Sequence, residues 1–196
     1  MYSYSLYPGE IKFVGDCESS ALQKIEEYLL SSLKARVEQR ETRGYVKYKL
    51  DRNLKLYHNE IKAYSKLASL DVCPQLLDHG VVFKYIAKSL TCSKQFTVYG
   101  YYVETELFGE SLWKRLGGEP CSGSVLSIRM GKENYIDEEE FNDCFPYPDY
   151  IKRQVRELIE KMHKAGVYHK DLHSGNVLLK DEVVKIIDFE FCEFVS

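Results

Sequence analysis

The chain has 196 residues, 44% of them hydrophobic, which is enough for one good core or for two small lobes sharing a cleft. A formal net charge of −3 leaves no electrostatic case for nucleic acid or for an anionic membrane surface as partner. No run approaches the apolar length that spans a bilayer, and the start, Met1-Tyr2-Ser3-Tyr4-Ser5, lacks the basic and apolar regions of a secretion signal. Cysteines at 17, 73, 92, 121, 144 and 192 form no C-x-x-C pair and read as reduced thiols, so a cytoplasmic or nuclear protein is expected.

Two short strands are expected at 4–7 and 11–14, split by the turn-forming Pro8-Gly9. Ser20-Ala21-Leu22-Gln23 has the form of a capping box, and Leu22, Ile25, Leu29, Leu33 and Val37 recur at helical spacing. These predict a helix over 21–40. Residues 45–50 alternate as a strand, with Tyr45, Lys47 and Lys49 on one face and Val46, Tyr48 and Leu50 on the other. A second helix follows over 54–70, its stripe made by Leu54, Tyr57, Ile61, Tyr64 and Leu67, with Glu60 at the margin. Strands are expected at 81–83 and 96–103. The stretch 117–149 breaks the pattern with Gly117-Gly118 and the acidic run Asp137-Glu138-Glu139-Glu140, which reads as a solvated insertion. Asp149 then offers an N-cap for a helix whose buried stripe is Ile151, Val155, Leu158, Ile159 and Met162.

Past Gly166 comes the stretch that carries chemistry: His169-Lys170-Asp171-Leu172-His173-Ser174-Gly175-Asn176, then Ile186-Ile187-Asp188-Phe189-Glu190. Phosphoryl transfer needs a carboxylate that orients the attacking hydroxyl, an amide oxygen on a metal, and a second carboxylate on that metal. Asp171, Asn176 and Asp188 supply these side chains in that order. Asp171 and Asn176 are close enough in sequence for one loop to present both. Residues 177–179 and 183–187, joined by Lys180-Asp181-Glu182, read as a hairpin that sets Asp188 beside Asn176.

This stretch resembles the catalytic loop and metal-binding motif of the protein-kinase-like superfamily, H-R-D-L-x-x-x-N followed by D-F-G. Lys170 stands for the arginine. Gly175 and Glu190 resemble aminoglycoside and choline kinases more than protein kinases, and the Ile-Asp-Phe-Glu ending is similar to that of short kinase-like proteins of fungi. The resemblance covers roughly 45–112 and 150–190. It implies an α+β, two-lobed fold: an N-lobe over 1–112 with an antiparallel sheet and helices, a linker over 113–149, and a minimal C-lobe over 150–196.

The resemblance also implies a site, with ATP and Mg²⁺ as cofactors. Asp171 would be the catalytic carboxylate, with Asn176 and Asp188 on the metal. Lys47, with Lys49 as the alternative, would grip the α- and β-phosphates and be held by Glu60. Glu104, Thr105, Glu106 and Leu107 would form the hinge that reads the adenine through its backbone. A Gly-rich loop is missing from the first hairpin, whose only glycines are Gly9 and Gly15. The helices that follow the metal motif in protein kinases are also missing, unless the helix over 21–40 or a partner protein substitutes. A protein serine or threonine hydroxyl is the first acceptor considered and a small-molecule hydroxyl the second. A pseudokinase acting as an interaction module is the non-enzymatic alternative.

Overall fold

The structure, a computed structural model, describes residues 1–117, 141–142 and 145–195. The acidic run at 137–140 and most of the expected 113–149 linker lie outside the described residues. The fold is mixed α+β and divides into two compact units, Met1–Lys55 with Leu77–Thr105, and Leu56–Leu76 with Glu106–Ser196. No described helix is long and apolar enough to cross a membrane.

The first unit is built on five strands: β1 (Tyr2–Tyr7), β2 (Ile11–Gly15), β3 (Tyr45–Asp51), β4 (Leu76–Ser89) and β5 (Gln95–Thr105). They form one antiparallel sheet in the order β2-β1-β4-β5-β3. Helix α1 (Glu18–Glu38) lies on one face. Its Ala21, Ile25, Leu29, Leu33 and Val37 are buried in a cluster with Tyr4, Leu6, Phe83, Tyr85, Val98 and Tyr102. Fully burying side chains of this size is worth about 1.5–3 kcal/mol each, so a charge at Leu29 or Leu33 would separate helix from sheet. Val46, Tyr48 and Leu50 pack against the same cluster. The alternation of β3 is therefore as expected, with Lys47 and Lys49 on the opposite face.

Two local expectations, both N-caps, are corrected. The α1 N-cap is Cys17, without a side-chain cap bond, so the Ser20 box lies inside the helix; Glu18 in the first turn complements the helix dipole instead. The third helix starts behind Pro148, whose fixed φ suits a helix entry, with Asp149 as the first helical residue, paired to Lys152. The β1–β2 hairpin bonds through β1 to β4, with Tyr4 opposite Ser89, so it sits at the far side of the sheet from β3. The first hairpin, whose only glycines are Gly9 and Gly15, therefore does not border Lys47.

The second unit holds α2 (Lys55–Leu67), α3 (Leu112–Leu116) and α4 (Asp149–Lys164). All five residues of the expected α4 stripe are buried. Short strands complete it: β6 (Glu110–Ser111), β7 (Val167–Tyr168), β8 (Val177–Lys180), β9 (Val183–Ile186) and β10 (Glu193–Phe194), paired as β6-β8-β9 and β10-β7. The buried face of α2 is rotated from the expected one. It consists of Tyr57, Glu60, Ala63, Tyr64 and Leu67, while Leu54 and Ile61 are only half-buried. The spacing 57, 60, 64, 67 is equally helical, and it turns Glu60 from the margin to the interior.

Candidate active site

Helix α4 delivers the chain through β7 into the loop at 169–176. That loop ends in a 3-10 turn, Ser174–Asn176, capped by His173, whose Nδ1 accepts from the Gly175 N–H at 3.0 Å. The expected hairpin is present, with Val177 opposite Ile186 and Lys180 opposite Val183. Asp181 and Glu182 both have positive φ, the conformation of a two-residue hairpin turn whose twist matches the strands. Lys170 and Asp188 are also left-handed, at φ 67° and 68°. For non-glycine residues that conformation costs about 1 kcal/mol or more and is found where surrounding contacts dictate it.

Those contacts are specific. His169 is fully buried, and its Nε2–H donates to the Ile187 carbonyl at 2.9 Å. Its Nδ1 accepts from the Asp171 N–H at 3.3 Å. One donor and one acceptor define the neutral imidazole, and burial accordingly pushes its pKa down. The Asn176 amide donates through Nδ2 to the Asp171 carbonyl at 2.8 Å, and the Asn176 carbonyl accepts from the Ile187 N–H at 2.9 Å. Asp171, Asn176 and the residue preceding Asp188 are thus tied into one hydrogen-bonded unit. Phe189, fully buried, packs its ring against His169 and against Tyr64 of α2, each with centroids 5.2 Å apart.

Beside this unit, carboxylate oxygens of Glu60, Asp188 and Glu190 all lie within 4.8 Å of one another. Glu60 and Glu190 are buried. Two like charges at that distance repel by about 3 kcal/mol at an effective dielectric of about 20. Asn59 holds the Glu190 backbone, donating to its carbonyl at 3.1 Å. The Cys192 thiol is buried near Glu60 and Asp188; desolvation first, then these carboxylates, raise its pKa and keep it protonated. A set of hard oxygen donors suits Mg²⁺. Since Nδ2 of Asn176 is engaged by Asp171, the oxygen of the same amide is the atom left for a metal.

The structure thus brings together Asp171, Asn176, Asp188 and Glu60, all in the second unit. Lys47 belongs to the first unit, on β3 opposite Val103, and Lys49 is opposite Tyr101. Of the expected hinge, Glu104 and Thr105 end β5. Glu104 is buried, and its Oε1 accepts the backbone N–H groups of Arg43 and Gly44. A Cβ on Gly44 would lie 1.9 Å from the Thr105 carbonyl, so that turn admits only glycine. Glu106 and Leu107 open the second unit, Leu107 exposed and Glu106 bonded to Lys185 at 2.7 Å. Sequence reasoning noticed Glu190 only as a family marker; its place two residues beyond Asp188, a D-x-E pattern, is the signal for its entry into the carboxylate group. His163 is a packing residue, stacked on Tyr168 with centroids 4.5 Å apart.

Comparison with known proteins gives the same direction. The family model for lipopolysaccharide core biosynthesis protein (WaaY) matches residues 127–193. The hormonally up-regulated neu tumor-associated kinase of Mus musculus is 36% identical over 75 residues, 36% of this chain and 9% of that protein. The 3-deoxy-D-manno-octulosonic acid kinase of Vibrio parahaemolyticus is 44% identical over 48 residues, 24% of this chain and 20% of the relative. The KEOPS complex subunit Bud32 of Pyrococcus abyssi is 35% identical over 65 residues, 31% of this chain and 30% of the relative. The matched stretch therefore spans less than a third of the length of each of these three. With the loop, hairpin and carboxylate geometry, these partial matches make the chain similar to kinases of the protein-kinase-like superfamily.

Proposed function

We propose that this chain transfers the γ-phosphoryl group of ATP to a hydroxyl. The observation that carries the reading is the Asn176–Asp171 hydrogen bond inside a loop locked to Ile187 by His169. It presents a carboxylate and an amide oxygen together, next to Asp188. Bound Mg²⁺ would neutralise phosphate charge. Asp188 and Asn176 would hold it, with Glu190 as a further oxygen donor. Lys47 would place its ammonium on the α- and β-phosphates, with Glu60 fixing the lysine. Backbone groups of 104–107 would pair with the adenine. Asp171 orients the acceptor hydroxyl; as the new O–P bond forms and the bridge to ADP breaks, it takes the hydroxyl proton.

A protein serine or threonine is the acceptor proposed first, since Lys170-Asp171-Leu172 keeps the protein-kinase form and several relatives are serine/threonine kinases. Gly175 and Glu190, which resemble aminoglycoside and choline kinases, favour a second reading, a small-molecule hydroxyl. The relative named as a kinase of 3-deoxy-D-manno-octulosonic acid supports it. The reduced thiols suit action in the cytoplasm or nucleus. A protein partner completing the acceptor platform is part of the proposal.

The test is Asp171→Asn. Phosphotransfer should fall by about a hundredfold or more, the scale of losing a positioned acid–base group, while MgATP affinity stays near that of the unmodified protein. Full transfer by Asp171→Asn refutes the assignment. An unmodified protein that transfers to neither protein nor small-molecule acceptors, yet binds a partner, is a pseudokinase.

A further inference from the structure

Lys185 lies on β9, opposite Leu178 of β8, three residues before Asp188. Its Nζ is 2.7 Å from Oε1 of Glu106, 3.3 Å from Oδ1 of Asp71 and 4.7 Å from the centre of the Phe108 ring. The lysine side chain is only 12% exposed, against 36% for Glu106 and 79% for Asp71. Three segments distant in sequence meet at this ammonium. Two backbone bonds knit the same three segments: Glu106 N–H to the Gln75 carbonyl and Ile186 N–H to the Val72 carbonyl, each 2.9 Å. On the far side of Phe108, Gly109 passes so near β8 that a Cβ there would lie 2.1 Å from the Leu179 carbonyl. Residues 106–109 are thus fastened at both ends to the hairpin that leads to Asp188.

A desolvated ammonium between two carboxylates is a poor device for stability, because its dehydration offsets most of the Coulomb gain. What it supplies is geometry: a short contact to a charged partner fixes where the backbone bearing that partner runs. Lys185 keeps its charge. Burial pulls its pKa down, but hydrogen bonds to Glu106 and Asp71 outweigh that and raise it. Lys185 in turn holds the Glu106 carboxyl below its usual range.

We propose that Lys185 is a positioning residue for nucleotide recognition, clamping Glu106 so that the backbone at 105–107 is held in place for the purine base. The proposal rests on the reading of 104–107 as the adenine-binding hinge. It adds that the hairpin carrying a metal-binding carboxylate also sets the base-reading segment, so the two ends of the nucleotide are gripped by one rigid piece. The Glu106 N–H is engaged by Gln75, which leaves the reading to its neighbours.

Binding of MgATP and of magnesium tripolyphosphate, which has the phosphates and no base, is measured by calorimetry on the full chain. In the unmodified protein MgATP should bind tighter than tripolyphosphate. Lys185→Met should weaken MgATP by about tenfold, the scale of one well-placed hydrogen bond, and leave tripolyphosphate unchanged. Lys185→Arg should recover part of the loss, and Glu106→Gln should reproduce it, which guards against a folding defect in the lysine variant. A merely structural lysine would weaken both ligands alike or neither. If the unmodified protein prefers MgATP but Lys185→Met and Glu106→Gln keep that preference, the clamp is overturned and the hinge reading stands. If the unmodified protein binds both ligands equally, hinge and clamp fall together.

Discussion

Replacing Asn176 by alanine tests the link on which the site is built. The side chain is buried, and Nδ2 makes one 2.8 Å hydrogen bond to the Asp171 carbonyl. Losing a hydrogen bond of this kind costs about 1 kcal/mol net, and leaving a partly buried carbonyl without its donor adds about 1 kcal/mol or somewhat more. The sum is about 2–3 kcal/mol. For a chain of this size that corresponds to a melting temperature lower by about 4–12 °C. Asn142 is the internal control: it is exposed and its Oδ1 accepts from Lys152 at 3.2 Å, so Asn142→Ala should stay within about 0.5 kcal/mol. Urea unfolding followed by fluorescence and by far-UV dichroism gives both numbers. The alanine variant should also lose most of the extra thermal stabilisation that Mg²⁺ adds to ATP, because the amide oxygen leaves with the amide nitrogen. An Asn176→Ala protein as stable as the Asn142→Ala control would refute the reasoning, since the loop would then hold its shape without this bond.

Three further outcomes are expected. MgATP should raise the melting temperature more than ATP alone, as a ligand specific to the folded state does by mass action, and Asp188→Asn should abolish that difference; equal shifts with and without metal in the unmodified protein would reject the ligand assignment. Lys47→Met should weaken ATP binding more than Lys49→Met does, and the reverse order would move the functional lysine by two residues. Buried His169 is neutral in the folded chain, whereas the unfolded chain protonates it below about pH 6.5, so stability should decline as pH falls through that value, by up to about 1.4 kcal/mol per pH unit for this group. His169→Gln should flatten the slope measured by urea unfolding between pH 6.5 and 5, and an unchanged slope would show that another group carries it.

What the sequence made legible was local. Helices α1 and α4 follow from apolar residues at helical spacing, and the β8–β9 hairpin from two β-branched runs around Asp181 and Glu182. Asp171 and Asn176 share a loop because five residues suffice to turn it. What stayed hidden depends on partners far along the chain. Lys185 and Glu106 are 79 positions apart, and nothing near either one marks them as a pair. The pairing of β1 with β4 is decided by competition among strand edges that alternation alone does not rank. On α2, two stripes that share Tyr57, Tyr64 and Leu67 are compatible with the same helix, and the fold buries Glu60 and Ala63 rather than Leu54 and Ile61. Cys17 displaced Ser20 as the α1 cap because the helix begins a turn earlier than its apolar stripe.

The place of β3 in its sheet has a dynamic consequence. Among the described residues it is laddered only to β5, with α1 supporting one of its faces. Opening such a strand breaks one ladder, whereas opening β1, β4 or β5 breaks two, so local fluctuations of the first unit concentrate at its two edge strands, β3 and β2. On the proposed role of Lys47, the phosphate-gripping ammonium rides on an edge strand, laddered on one side only. Release of spent nucleotide would then need only a partial, quickly reversed peeling of that edge, and its rate would be set by how firmly Val46, Tyr48 and Leu50 adhere to α1.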